Sequence, residues 1–245
     1  IVSVFARRSR MDRQPFNRGE DQAMKHTMLA AAGLLAFGAA VPAAARTLGS
    51  LEFTPCTLKS AGVANTVEAQ CTTLEVPENR ATPDARKIKL AIAWVPSSAA
   101  DPAPDLVFML AGGPGQAARD SFPQIAGAFG PTLRKRHVIL VDQRGTGDSN
   151  PLACRDEEGD NAFSASSDDS IEAAVGFARE CAAKLDADTR FYATTDAIQD
   201  LDAVRAALGA TQVDMVGISY GTRVAQQYAK RYPAQTRSVV LDGVV

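Results

Sequence analysis

The sequence predicts an α/β protein with a mostly parallel sheet and helices on both faces. Buried-strand patterns, among them Leu106–Leu110 and His137–Val141, alternate with stretches of helical period. Three of the predicted strands run into loops rich in glycine or small polar residues: Gly112–Gly115, Asp142–Ser149 and Gly217–Gly221. Ligands on such sheets bind beyond the carboxyl ends of the strands, so these loops gather at one functional rim.

The first 45 residues read as lying outside that fold. Met24-Lys25-His26-Thr27 is a short basic segment, Met28 to Val41 is apolar, and Ala43-Ala44-Ala45 has the form of a cleavage site before Arg46. Residues 24–45 therefore read as a secretory signal peptide. The apolar run falls short of the roughly 20 residues a membrane span needs, which argues against an uncleaved anchor. Residues 1–23 carry five arginines without a hydrophobic pattern and read as a misassigned start or a disordered leader. Arg7-Arg8 stands too far from the apolar run for a twin-arginine signal. Residues 46–245 are the expected folded domain, in a secreted or periplasmic protein.

Leu51–Thr57 and Thr66–Val76 read as short strands, followed by a turn at Pro77–Arg80. Lys87–Val95 alternates as a strand with one wet face, and its two lysines suit an outer position. A loop of Ser, Ala and Pro leads to Leu106–Leu110, whose unbroken apolar character fits a central strand. Helix is expected over roughly Gln116–Phe129. Asp142–Ser149 has a superficial likeness to a dinucleotide loop but lacks G-x-G-x-x-G spacing. Asp142 and Arg144 are expected to hold its shape. Residues 156–170 form an acidic, Ser-rich surface excursion, and Ile171–Leu185 is helical. Ala197, Leu201, Val204 and Leu208 share one helix face, with Thr195 as N-cap and Gly209 as stop. Val213 opens another strand, Tyr220–Tyr232 a helix closed by Pro233, and Ser238–Asp242 a last strand.

The totals are those of an ordinary globular protein: 245 residues, net charge −2, 46% hydrophobic and 22% charged. No basic excess points to nucleic acid as a partner, and no acidic tract points to a solvating tail. Cys56, Cys71, Cys154 and Cys181 make an even set, which in an exported chain implies two disulfides. Three pairings are possible, and proximity favours Cys56–Cys71 and Cys154–Cys181. Each would add about 3 kcal/mol on the chain-entropy estimate. None has C-x-x-C spacing, so zinc and thioredoxin-like chemistry fit poorly.

Chemistry concentrates at Gly217-Ile218-Ser219-Tyr220-Gly221. A G-x-S-x-G turn between a buried strand and a helix is a nucleophile elbow, which exposes the serine hydroxyl on a strained bend. Gly217 and Gly221 leave room where side chains would collide. The plainer alternative is that Ser219 only caps the helix.

Together, Gly112-Gly113-Pro114-Gly115, Asp142–Ser149, Gly217–Thr222 and Val239–Val244 resemble the α/β-hydrolase fold. More narrowly, they resemble secreted serine exopeptidases of the prolyl and tripeptidyl aminopeptidase type, over roughly Leu51 to Val245. Ala111 departs from the histidine that many relatives carry before the glycines. The resemblance implies acyl transfer. Ser219 attacks a carbonyl, and the backbone N–H groups of Tyr220 and Gly113 hold the oxyanion. It implies a peptide substrate, or a small ester in an esterase variant, and neither cofactor nor metal. Nothing in the sequence sets an oligomeric state.

A serine needs a base. The order in such hydrolases is Ser, acid, His, yet no histidine follows Ser219. His26 falls in the leader. His137 opens its strand, about 16 Å from the catalytic end at 3.3 Å per residue. Asp242 ends its strand on the correct rim, but the peptidase-like relatives place their acid one strand later. The lid that selects substrates also follows. The expectation is a chain with nucleophile and oxyanion hole but without acid, base or lid, inactive alone, and with an open apolar sheet edge. The remaining alternative is a non-enzymatic fragment that pairs with a separately encoded partner or is inert.

Overall fold

The computed structural model describes residues 45–154 and 170–245. The upstream segment, nearly all of the leader and residues 155–169 of the acidic excursion lie outside them.

The strands are β1 (Arg46–Leu48), β2 (Leu51–Leu58), β3 (Val67–Pro77), β4 (Lys87–Val95), β5 (Leu106–Leu110), β6 (Val138–Val141), β7 (Val213–Ile218) and β8 (Thr236–Asp242). They form one sheet in the order β1-β2-β3-β4-β6-β5-β7-β8. The sheet is mixed. β1 to β4, and β4 against β6, pair antiparallel, whereas β6, β5, β7 and β8 run parallel. Short connections between β1, β2, β3 and β4 allow only hairpins, whereas the later strands are separated by helices long enough to cross over.

β4 lies inside the sheet, not at its outer side. Its first half lies beyond the segment paired with β6, and there Lys87 and Lys89 are exposed while the alternating Ile88 and Leu90 are buried, so a wet face marks one side of an inner strand. β1 is an unanticipated strand, and its Arg46 guanidinium lies 4.4 Å from the centre of the Trp94 ring.

The helices are α1 (Ala118–Ile125), α2 (Gly130–Leu133), α3 (Ile171–Lys184), α4 (Thr194–Ala207) and α5 (Tyr220–Arg231). Two hydrophobic layers flank the sheet. On one face Phe108, Ile139 and Met215 meet Leu201 and Val204 of α4 and Val224 and Tyr228 of α5. On the other Val107, Met109 and Leu140 meet Phe122 of α1 and Phe129. The helix expected over 116–129 breaks into α1 and a 3-10 turn at Ala126–Phe129. Pro123 lies inside α1 and removes a backbone donor.

The apolar stripe expected on α4 is fully buried. Its cap differs. Ala193 is the N-cap, with no side-chain hydrogen bond, and Thr195 lies inside the helix. Thr194, next to the cap, instead shares a 2.6 Å hydrogen bond with the Tyr220 hydroxyl. Gly209 follows the helix at φ 71, the left-handed position that glycine takes most readily.

Both expected disulfides are present, Cys56–Cys71 and Cys154–Cys181. The second ties α3 to the segment after the Asp142–Ser149 loop, which matters because no residue of α3 is fully buried. Among the described residues, no helix is long and apolar enough to cross a membrane.

Candidate active site

β7 is sandwiched between β5 and β8, with Leu110 opposite Gly217 and Ile218 opposite Asp242. The chain then turns through Ser219 at φ 51, ψ −121, directly into α5. A positive φ at a non-glycine residue is strain, of order 1–3 kcal/mol, and it survives only where the surroundings enforce it. Here they do. The Ser219 N–H donates to the Asp242 carbonyl at 2.8 Å. Its own carbonyl accepts from the Thr222 N–H at 2.8 Å and from the buried Thr222 hydroxyl at 2.7 Å.

The flanking glycines are needed for space. A Cβ on Gly217 would stand 2.8 Å from the Thr222 nitrogen, and one on Gly221 would run into the Leu110 carbonyl of β5. Their absence lets α5 start hard against two strands. Ser219 is the N-cap residue of α5, but its side chain makes no capping hydrogen bond. It is half-buried, at the rim.

The register of β5 against β7 carries the glycine turn to the same place. A Cβ on Gly112 would lie 3.1 Å from the Ser219 Cβ. Gly113 takes φ 101 before a cis bond to Pro114, and a side chain on it would sit 2.8 Å from the Gly115 nitrogen. Tyr220 is the first residue of α5, a position whose N–H has no intrahelical carbonyl to reach, whereas the Thr222 N–H is taken by Ser219. A hydroxyl on a tense bend, with the head of α5 and the glycine turn after β5 beside it, is an arrangement suited to nucleophilic acyl transfer.

The third loop braces this pair. The buried Asp142 carboxylate accepts from the Arg119 N–H at 2.9 Å and the Asp148 N–H at 3.3 Å, and Arg119 also pairs with Asp148 at 2.7 Å. Burial pushes the Asp142 carboxyl above its ordinary range, against the pull of Arg119. Gly147 packs so closely that a Cβ there would lie 2.7 Å from that of Ala117, at the head of α1. Arg144 reaches the other way. It is bidentate to Asp200 of α4 at 2.6 and 2.7 Å and donates to the Glu78 and Phe191 carbonyls. Asp142 and Arg144 are therefore shape-holding residues, as expected.

A family model described as alpha/beta hydrolase fold matches residues 105–244. The chain belongs to the α/β-hydrolase fold family. Its curated relatives include serine protease Hip1 of Mycobacterium tuberculosis, 29% identical over 218 residues, covering 80% of this chain and 39% of that protein. The tripeptidyl aminopeptidase of Streptomyces lividans is 26% identical, covering 72% and 35%. The proline iminopeptidase of Neisseria gonorrhoeae is 27% identical, covering 62% and 36%. The chain thus spans well under half the length of each. These names agree with the exopeptidase-like resemblance of the motifs.

Within this α/β-hydrolase sheet the other titratable candidates stand apart from Ser219. His137 precedes β6 at the opposite end of the strands, where its Nδ1 accepts from the Ser97 N–H at 2.8 Å and its ring meets Trp94 edge-on. Asp242 touches Ser219 through its backbone, and its side chain is exposed. Three contributors escaped sequence reasoning. Thr222 clamps the bend, Ser149 accepts the Ala91 N–H at 2.8 Å to moor the third loop, and Asp200 gathers Arg80 and Arg144. Thr222 and Ser149 lie within or at the end of the motifs, which was the available signal. Asp200 had none, because its partners are 56 and 120 residues away.

Proposed function

We propose that this chain carries the nucleophile side of a serine hydrolase of peptidase type. Ser219 Oγ attacks the carbonyl of a peptide near its amino terminus, and the N–H groups of Tyr220 and Gly113 receive the oxyanion. Loss of the amine leaving group gives an acyl-enzyme, which water then hydrolyses to release an amino acid or short peptide. The observation that carries the reading is the convergence of the Ser219 bend and the Gly112–Gly113 turn. The peptidase names of the relatives supply the substrate class.

The proton from Ser219 needs an acceptor. Among the described residues the sole imidazole is His137, at the wrong end of the sheet. On this reading the base and its acid partner come from outside the described residues, and this polypeptide alone turns over aminoacyl or peptidyl amides negligibly. Two closed disulfides support an exported protein, the compartment to which the leader reading also points.

A fluorophosphonate probe tests the nucleophile without full turnover. In imidazole buffer, which supplies a base, the probe should modify Ser219 and spare the Ser219→Ala variant, as read by peptide mass spectrometry. Modification spread over other serines, or none, sinks the assignment. Robust amide hydrolysis by the pure chain sinks the claim that its base lies elsewhere.

A further inference from the structure

Two tyrosine hydroxyls tie α5 to α4. That of Tyr220 meets the Thr194 hydroxyl at 2.6 Å, and that of Tyr228 donates to Asp202 Oδ1 at 3.0 Å. In both pairs the partners stand 26 residues apart in the chain, so the second rung repeats the register of the first. Because the step is the same on both helices, they run side by side in one direction. The rungs are eight residues apart on each, about 12 Å at 1.5 Å per residue. At the lower rung Tyr228 is fully buried, and Asp202 also accepts from Arg205 at 2.7 Å. Burial, then the Asp202 charge, raises the Tyr228 hydroxyl above its ordinary range, so it remains a donor at neutral pH.

The upper rung falls at the nucleophile. One peptide plane carries both the Ser219 carbonyl and the Tyr220 N–H assigned to the oxyanion. Relaxation of the Ser219 bend from φ 51 would turn that plane and aim the N–H elsewhere. Thr222 grips its carbonyl end through two donors. The Tyr220 side chain grips the other end: its ring packs on the buried layer beneath the two helices, and its tip is held by Thr194. We propose that Thr194 is a positioning residue for oxyanion stabilisation, which through the Tyr220 hydroxyl keeps the Tyr220 N–H on the atom that takes up negative charge. The proposal rests on the Ser219 reading above. The lower rung stops α5 from sliding or turning against α4, so the upper one acts on the helix head alone.

A fluorophosphonate and its thiono analogue, in which P=S replaces P=O, are reacted with the full chain in imidazole buffer. In both reactions Ser219 Oγ bonds to phosphorus, fluoride leaves and imidazole takes the proton. Sulfur accepts hydrogen bonds weakly, so the oxo-to-thiono ratio of saturated rates reads the N–H donors. Thr194→Val should lower that ratio about fivefold, with the half-saturating concentration of the oxo reagent unchanged, since a misaimed donor is lost only in part. Tyr220→Phe should give the same loss and the double variant no more, because both changes break one bond. Thr194→Ser, which keeps the hydroxyl, should restore the ratio. Thr195→Val, an exposed change one residue on, should leave it unaltered. A ratio unmoved in folded Thr194→Val, or lowered as much in Thr194→Ser, overturns the positioning role while Ser219 stands. Should Thr194→Val fail to fold, Tyr220→Phe decides in its place. If neither reagent modifies Ser219, the nucleophile reading fails by itself, and the Tyr220 amide is followed by NMR. A shift in Thr194→Val that Thr194→Ser reverses then supports the grip on the N–H, and constancy overturns it.

Discussion

The backbone N–H of Ser219 donates to the carbonyl oxygen of Asp242 at 2.8 Å, binding the bend to the last residue of β8. Thr222 holds the same residue from the helix side through two donors onto one carbonyl. The bend is thus clamped between strand and helix, and the clamp keeps a serine at a positive φ it would otherwise leave.

Replacing the strained residue with one that tolerates the bend should stabilise the fold. Ser219→Gly is expected to raise the unfolding free energy by about 1 kcal/mol, the strain relieved less the extra chain entropy of glycine. Urea denaturation checks this. A loss of stability would mean that the bend is relaxed.

Crowding the elbow should do the reverse. In Gly221→Ala the new methyl meets the Leu110 carbonyl and lies 2.9 Å from the Ala111 oxygen, and backbone on both sides leaves little room to yield. A destabilisation of about 1–3 kcal/mol follows from overpacking. Fluorophosphonate labelling of Ser219 should fall about 100-fold as the helix head shifts.

Asp200 anchors two arginines, and its own side chain and that of Arg144 are 2% and 1% exposed. Asp200→Ala leaves the Arg144 charge buried without its carboxylate and should cost about 3–5 kcal/mol. Replacing both with apolar residues, Arg144→Met with Asp200→Leu, should cost less than Asp200→Ala alone. Denaturant midpoints for the two variants decide it.

His137 supplies a pH dependence of known sign. Burial, and then the nearby Arg46 charge, hold its imidazole below the ordinary 6.5. Protonation at Nδ1 would also break the bond from the Ser97 N–H. The unfolded chain therefore takes up this proton at higher pH than the folded one. The associated stability is full above 6.5 and is lost as pH falls through the folded value. An NMR titration should place the His137 midpoint below 6.5, and wild type should lose stability more steeply than His137→Gln over that range.

Much of the fold was legible because its signals are local. Unbroken apolar runs marked β5 and β6, the stripe from Ala197 to Leu208 marked α4, and the disulfide pairs followed from nearness along the chain. The errors were also local. Thr195 was a good cap in isolation, but the cap is Ala193 and the helix opens at Thr194, whose hydroxyl meets that of Tyr220. Lys87 and Lys89 read as marks of an outer strand because sequence shows that residues are wet, not why.

Sequence by itself determined the G-x-S-x-G turn, the glycine turn after β5 and the even set of four cysteines. These depend on residue identity and short spacing. Only the tertiary structure decided that the two turns meet, because Leu110 is placed opposite Gly217 by strand register, which no local pattern encodes. It also decided that Asp200 joins Arg80 to Arg144. Contacts between residues far apart in the chain arise when burying the two apolar layers fixes the helices on the sheet, and a linear reading cannot supply that geometry.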